Sequence, residues 1–340
     1  LMKNGPTDPS GGQGLAYRST GGGVCLTGLR DCGCLELDRL PFPAYEKLEG
    51  FPRRAYRLPL FSYPRGPGST CAASRGCPYT CSYCDRSVFG KSYRSHSAGY
   101  MHAHVRHLRE RFGIRHVLFY DDQFTLDRTR VESFCRLMAN EPPGVTFSCA
   151  VRAEHVDRDL LVQMKAAGCW MVSLGIETGD PDLLAGHRKD PDLGFLADQV
   201  RLMKQAGIRV KGLLMMGLPG EGEKSIRRSM AYVKSLPLDE INIARFTPFP
   251  GAPLYDRIHQ LGEFDEEWDK MDCLHFQFVP KGMSRDQLEG LFKEFYKSWY
   301  MQPRVLAMYT RRFMECPESW RRFMANVFTF ARFARGREDA

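Results

Sequence analysis

The pattern of apolar and polar positions changes near Gly68. Beyond that point short apolar runs alternate with longer stretches in which apolar residues return every three or four positions. These are the signatures of buried strands and of amphipathic helices. The runs predict strands over 70–74, 116–120, 145–151, 170–176, 210–216 and 241–246. Helices are predicted between them over 98–111, 128–138, 157–167, 193–206, 224–235 and 254–260. In the third helix Leu160, Leu161 and Met164 share a face, and Leu196, Val200 and Met203 repeat the arrangement in the fourth. The two end alike, as MKAAGCW from Met164 and MKQAGIR from Met203, with Gly168 and Gly207 suited to the left-handed position past a helix end. Strand-then-helix units in series predict an α/β chain with a parallel sheet and right-handed crossovers. Periodicity leaves two architectures open, a doubly wound sheet and a barrel-like wrap.

Before Gly68 the chain is rich in glycine and proline. GLAYRSTGGGVCLTG (14–28) predicts two short strands joined by a glycine turn, and LDRLPFPAYEKL (37–48) an extended linker. Leu1 is not an initiator methionine, so the expectation is a chain that begins inside a longer protein.

Composition narrows the class. With 340 residues, 43% hydrophobic and 26% charged, the chain can bury one large core, or a large domain with appendages. The longest apolar runs, such as LLMM at 213–216, are too short to cross a bilayer, and no charged-then-apolar leader precedes a small-residue cleavage site. A cytoplasmic location is expected. The net charge of +8 favours anionic partners: a phosphorylated or carboxylated substrate, nucleic acid, or an acidic electron donor. Arg304, Arg311, Arg312, Arg321, Arg322, Arg332, Arg335 and Arg337 alternate with aromatics near the C-terminus. They are expected to form a solvated helical face rather than a binding patch.

In such a setting the 12 cysteines are metal ligands, catalytic groups or core fillers more often than disulfides. Cys149 and Cys169 lie in apolar strand contexts and are expected to be buried hydrophobes. SRGCPYTCSYCDRS places Cys77, Cys81 and Cys84 in one loop after the first strand, where the carboxyl end of a parallel strand carries chemistry. Three thiolates there can hold three corners of a cubane and leave the fourth iron open, whereas electron-transfer clusters take four cysteines. Two alternatives compete with it. A structural zinc needs four ligands, and the nearest spare, Cys71, lies inside the first predicted strand. A dithiol redox motif would use Cys81 and Cys84 and leave Cys77 unexplained.

The CxxxCxxC loop, with Tyr83 just before its last cysteine, resembles the radical S-adenosylmethionine (radical SAM) superfamily, and the resemblance spans about residues 37–303. It implies a partial (β/α)6 TIM-like barrel over 66–265, preceded by a junction and linker over 1–65 and followed by a C-terminal helical region over 266–340. It also implies a [4Fe-4S] cluster on Cys77, Cys81 and Cys84. By the same resemblance, the open iron would be chelated by the amino and carboxylate groups of S-adenosylmethionine, one electron would cleave the sulfonium, and a 5′-deoxyadenosyl radical would abstract hydrogen. Five further segments are similar to the family's strand ends: FYDDQFT with Asp121 and Asp122, SCAVRAEHV with Arg152, LGIETGDPDLL with Glu177, GLLMMGLPGE with Gly217, and FTPFPGAPLYD. Tyr83, Asp121, Asp122, Arg152, Glu177 and Gly217 are thereby candidate cofactor-binding residues, Arg152 for the methionine carboxylate. No other catalytic residue is assigned.

GLAYRSTGGGV and DRLPFPAYEKL are similar to the junction that follows the cobalamin-binding domain of cobalamin-dependent radical enzymes, and FYKSWYMQPRVL (295–306) resembles their C-terminal helices. Those enzymes methylate unreactive carbon or phosphorus centres, or close rings as the anaerobic porphyrin-ester cyclase does. The departure is clear: there is no Asp-x-His-x-x-Gly motif, and a cobalamin-binding fold of about 100 residues has no room before the junction. Cobalamin is therefore expected in a longer parent and not on this chain alone. Methyl transfer by radical chemistry is the leading expectation. Radical cyclisation or rearrangement and methylthiolation of transfer RNA follow it, and a zinc-stabilised basic nucleic-acid-binding module is the reading from another class. The expected partners are a small-molecule substrate and a reductant such as flavodoxin or ferredoxin; nucleic acid is not expected.

Overall fold

The computed structural model describes residues 12–28, 36–52, 56–90, 92–187, 192–315 and 317–325. The chain divides into two compact units, Leu1–Pro41 and Phe42–Ala340. In the first, β1 (Ala16–Arg18) and β2 (Val24–Leu26) pair antiparallel across a glycine turn, as the sequence predicts.

The second unit is built on one six-stranded parallel sheet. After β3 (Gly68–Cys71) the chain makes a small antiparallel hairpin, β4 (Ser74–Arg75) with β5 (Arg94–Ser95), and then α1 (Ala98–Phe112). The units that follow are β6 (His116–Phe119) with α2 (Arg128–Asn140), β7 (Thr146–Val151) with α3 (Arg158–Ala166), and β8 (Cys169–Glu177) with α4 (Pro181–Gly186) and α5 (Leu193–Gln205). Next come β9 (Arg209–Met216) with α6 (Glu223–Ser235), and β10 (Glu240–Arg245) with the single turn α7 (Ile258–Leu261). The antiparallel pair β11 (Gly262–Phe264) and β12 (Phe278–Pro280) leads to α8 (Arg285–Tyr300), α9 (Pro303–Glu315) and α10 (Pro317–Ala325). The sheet order is β3-β6-β7-β8-β9-β10, so each strand lies beside its predecessor and the winding never reverses. A doubly wound sheet needs a reversal. The architecture is the partial (β/α)6 barrel that the resemblance implies.

Local chemistry explains the element borders. Asp127, Asp157, Asp180 and Asp192 cap α2, α3, α4 and α5, each carboxylate accepting from a backbone amide of the first turn. Gly168 and Gly207 take φ of +94° and +75° after α3 and α5, as predicted. Leu160, Leu161, Met164, Leu196, Val200 and Met203 are completely buried, and Phe119, Phe124, Phe134 and Phe147 pack edge-on between α2 and the sheet. Truncating one of these leucines to alanine costs about 2–5 kcal/mol. Cys149 and Cys169 are core fillers, each 1% exposed.

Two predicted elements differ. The first strand ends at Cys71 rather than at Ser74, because Ser74 leaves the sheet to pair with Ser95. The sixth helix is reduced to a 3-10 turn and α7. Pro253 and Gly262 bracket that segment, and Leu254 and Ile258 insert into a separate apolar cluster with Leu218, Phe246 and Phe278 instead of building a helical face.

The C-terminal arginines are also used differently from the expectation. Arg304 donates to the carbonyls of Leu236 and Lys234, buried Arg312 to the carbonyl of Asp239, and Arg322 to the carbonyl of Leu58 and the hydroxyl of Tyr63. These three staple α9 and α10 to the barrel rather than forming a solvated face. Arg332, Arg335 and Arg337 lie outside the described residues, as do Cys32, Cys34 and Cys316. Among the described residues no helix is long and apolar enough to cross a membrane.

Candidate active site

A cavity of about 380 Å³ opens at the carboxyl ends of the strands. Cys77, Cys81, Tyr83, Cys84, Asp122, Arg152 and Glu177 all line it, so four strand ends separated by up to a hundred residues of sequence meet around one space. The nine described cysteines are free thiols.

The cysteine loop is held at both ends. At its start, Asp121 accepts from the Ala73 amide (2.7 Å) and the Ser74 hydroxyl (2.6 Å), and Asp122 accepts from the Gly76 amide (3.0 Å). Gly76 takes φ of +87°, and a β-carbon there would fall 2.0 Å from the carbonyl oxygen of Ser92. Only glycine fits immediately before Cys77. In the middle, the Leu254 amide donates to the Ser82 carbonyl (3.1 Å). Beyond Cys84, a β-carbon on Gly251 would lie 2.5 Å from Oδ1 of Asp85, so the segment after β10 closes directly on the loop.

Arg152, the first residue after β7, is 6% exposed and points its guanidinium into this loop. Its Nη1 lies 3.9 Å from Sγ of Cys81, its Nε donates to Glu154 (2.6 Å), and its Cζ stands 3.8 Å from the centre of the Tyr79 ring. The Tyr79 hydroxyl in turn meets Nε2 of His155. A cation stacked on an aromatic face beside a thiol is an anchored positive charge, able to pair with a thiolate or with a bound carboxylate. Burial pushes the Cys77 thiol up, with Arg152 opposing it less strongly, so metal binding there has to expel a proton. Burial also pushes up the phenol of Tyr83, aided by Glu177.

Glu177 occupies φ of +64° at a register shift between β8 and β9. A non-glycine residue in that region is strained, and such strain collects where a side chain has to be aimed at a site. Here the bulge turns the carboxylate onto the cavity wall.

Two sequence candidates lie outside the lining. Both oxygens of Asp121 are spent on Ala73 and Ser74, with Arg130 bracing the same turn through the carbonyls of Ala73 and Phe124. The backbone of Gly217 (φ +89°) is approached by the ring of Phe276, and its amide donates to Glu221. The freedom of that glycine serves the protein's own packing. The sequence reading missed Tyr79, Gln123, His155 and His187. Tyr79 sits inside the cysteine motif, but His187 carries no motif and reaches the loop only through the fold.

Among the described residues no three of His, Cys, Asp or Glu converge as the ligands of a single metal ion would, which is the arrangement a structural zinc requires. A cubane instead spreads its thiolates over separate irons, and three cysteines on one loop beside an anchored cation suit that donor set.

Residues 72–233 match the family described as the Radical SAM superfamily. Over 274 residues the chain is 27% identical to an uncharacterized methyltransferase of Pyrococcus horikoshii, covering 79% of this chain and 58% of the relative. Over 267 residues it is 26% identical to the bacteriochlorophyllide d C-12(1)-methyltransferase of Chlorobaculum tepidum, covering 76% of this chain and 57% of the relative. The chain thus spans a little over half the length of these curated relatives. Its fold superposes, with a TM-score of 0.59 and 17% identity, on TsrM of Kitasatospora setae, a radical S-adenosylmethionine methyltransferase solved with tryptophan substrate and a cofactor analogue; the match covers 71% of this chain and 53% of that one. The barrel topology, the cysteine loop at the top of its first strand and the family match agree: residues 72–233 of this chain are a radical S-adenosylmethionine domain.

Proposed function

We propose that the chain is the catalytic barrel of a radical S-adenosylmethionine enzyme that transfers a methyl group to an unactivated centre. One observation carries the reading: Cys77, Cys81, Cys84, Arg152 and Glu177 line a single cavity although they come from three separate strand ends. Cys77, Cys81 and Cys84 would hold a [4Fe-4S] cluster, which would supply the electron for reductive cleavage of S-adenosylmethionine. The chain's own residues orient and enclose. Arg152 offers a fixed cation for a carboxylate. Glu177 and Asp122 offer acceptors for hydroxyl or ammonium donors, and Tyr83 gives the cavity an apolar wall beside the last cysteine. Methyl transfer is favoured over cyclisation and methylthiolation because the Pyrococcus and Chlorobaculum relatives are methyltransferases. A small-molecule substrate and an external reductant of the flavodoxin or ferredoxin type complete the proposal, and cobalamin is assigned to the longer parent.

The test is anaerobic reconstitution with iron and sulfide, reduction with dithionite in the presence of S-adenosylmethionine, and assay of 5′-deoxyadenosine and S-adenosylhomocysteine. Formation of either product, lost in Cys77→Ala, Cys81→Ala and Cys84→Ala, supports the reading. Iron-loaded protein that forms neither product overturns it.

A further inference from the structure

The three loop cysteines are not equivalent. Cys81 is buried, Cys77 is half-buried and Cys84 is exposed. Of the three, Cys81 is the one at which a neighbouring charge is least screened by water. Arg152 stands there, its Nη1 donating to the Cys81 sulfur over 3.9 Å.

The turn that Arg152 itself begins holds the guanidinium in place. Ala153–His155 form a 3-10 turn in which the His155 amide donates to the Arg152 carbonyl (3.2 Å). That turn sends two side chains back to the cation. Glu154 accepts from Nε of Arg152 (2.6 Å), and His155 meets the hydroxyl of Tyr79, whose ring centre lies 3.8 Å from Cζ of Arg152. Tyr79 is fixed from another side by Arg86, whose Nη1 donates to the Tyr79 carbonyl (3.0 Å). Cation, carboxylate and histidine thus come from one short turn, and the aromatic platform comes from between Cys77 and Cys81. An unrestrained arginine carries about 2 kcal/mol of rotamer entropy. Here most of that freedom is gone before any ligand arrives.

We infer that Arg152 tunes the reduction potential of the cluster through Cys81, with Tyr79, Glu154 and His155 as its positioning residues. The inference rests on the cluster assignment within the proposed function, and not on methyl transfer. Hydrogen bonds to the ligating sulfurs and local charge are levers on the potential of an iron–sulfur cluster. Reduction adds one negative charge, so a cation held at Cys81 favours the reduced form and raises the potential. Glu154 opposes it. Its carboxylate, with the side chain 31% exposed, neutralises part of a guanidinium that is only 6% exposed. One turn therefore carries two charges that pull the potential in opposite directions.

A redox titration of the reconstituted intact chain, followed by electron paramagnetic resonance without S-adenosylmethionine, reads the potential directly. Arg152→Met should shift it to a more negative value. Glu154→Gln keeps an acceptor for Nε without the charge and should shift it to a more positive one. A loosened loop would move both variants the same way, so the opposite signs separate tuning from damage. Tyr79→Leu removes the platform and should shift the potential in the direction of Arg152→Met. Tyr79→Phe keeps the ring and should shift it less, and His155→Phe should match Tyr79→Phe, since each removes one half of the same hydrogen bond. If Arg152→Met takes up less iron than the parent, Glu154→Gln and Tyr79→Leu carry the same contrast of sign. The inference is overturned if Arg152→Met and Glu154→Gln titrate at the parent potential or shift together, or if Tyr79→Leu titrates like the parent. Clusters that shift as expected while the parent forms neither 5′-deoxyadenosine nor S-adenosylhomocysteine support the inference and overturn the methyl-transfer reading alone. Parent protein that takes up no iron overturns both.

Discussion

Ser82 and His187 are bonded twice. The Ser82 amide donates to the His187 carbonyl (3.2 Å), and the Ser82 hydroxyl lies 2.9 Å from Nδ1 of the His187 ring. The other ring nitrogen, Nε2, lies 3.1 Å from the Pro219 carbonyl, which can only accept. Nε2 therefore carries the proton, and the serine donates to Nδ1. The imidazole thus ties the cysteine loop to the turn after β9. His187→Ala leaves the Ser82 hydroxyl and the Pro219 carbonyl without these partners and should destabilise the loop by about 1–3 kcal/mol. Reconstituted protein should then lose iron faster to a chelator than the parent does. Equal loss rates would assign the histidine to packing alone.

Arg152 holds its guanidinium 3.9 Å from Sγ of Cys81. Arg152→Met keeps the length of the side chain and removes its charge. Iron content should be unchanged, while the affinity for S-adenosylmethionine falls by about tenfold to a hundredfold, the worth of a charge-assisted pair. Equilibrium dialysis on iron-loaded protein checks it, and unchanged affinity would dissociate Arg152 from the cofactor.

Gly179 follows Glu177 at the end of β8, where a β-carbon would lie 2.7 Å from Cα of Ser229 and 2.8 Å from Cβ of Tyr232. Since the first is backbone of α6, no side-chain rotation relieves the clash. Gly179→Ala should cost about 1–3 kcal/mol and lower the thermal midpoint. Gly186→Ala, whose β-carbon would meet nothing within 4 Å, is the matched control.

His116 is fully buried between the hydroxyls of Thr146 (2.8 Å) and Ser148 (3.1 Å), and burial lowers its pKa to about 3. The folded state thus resists a proton that the unfolded chain accepts near 6.5. The contribution is present above pH 6.5 and is lost as the pH falls toward 3. In denaturant titrations His116→Gln should flatten the acid limb of stability across that window. An unchanged acid limb would count against this role.

Glu221 has the opposite sign. Buried at 3% exposure beneath the Gly217 and Leu218 amides, it has its pKa raised from 4.5 to about 7, chiefly by desolvation. Its protonated form is favoured in the folded state, so the contribution is present below pH 4.5 and is lost as the pH rises through 7. Glu221→Gln, which keeps an oxygen for the two amides, should remove that decline. The difference between parent and variant, measured from pH 4 to 8, isolates it from His116.

Much of the barrel was written locally. The buried faces of α3 and α5, the left-handed glycines after them and the aspartate caps depend on residues within a turn or two, which is why periodicity and capping chemistry predict them. The cysteine spacing is local too, and it identified the loop that lies on the cavity. What residue order could not decide is set by contacts between distant segments. The choice of barrel over doubly wound sheet rests on each strand joining its predecessor, a matter of packing that periodicity does not encode. Asp121 and Asp122 are neighbours in sequence, yet only Asp122 faces the cavity, because the Ala73–Ser74 turn claims Asp121. His187, with no motif around it, enters the site because the fold carries its ring to Ser82. Sequence determined the residues and the local turns; tertiary structure decided which of them share a space, since a strand end is chemically complete only with its neighbours.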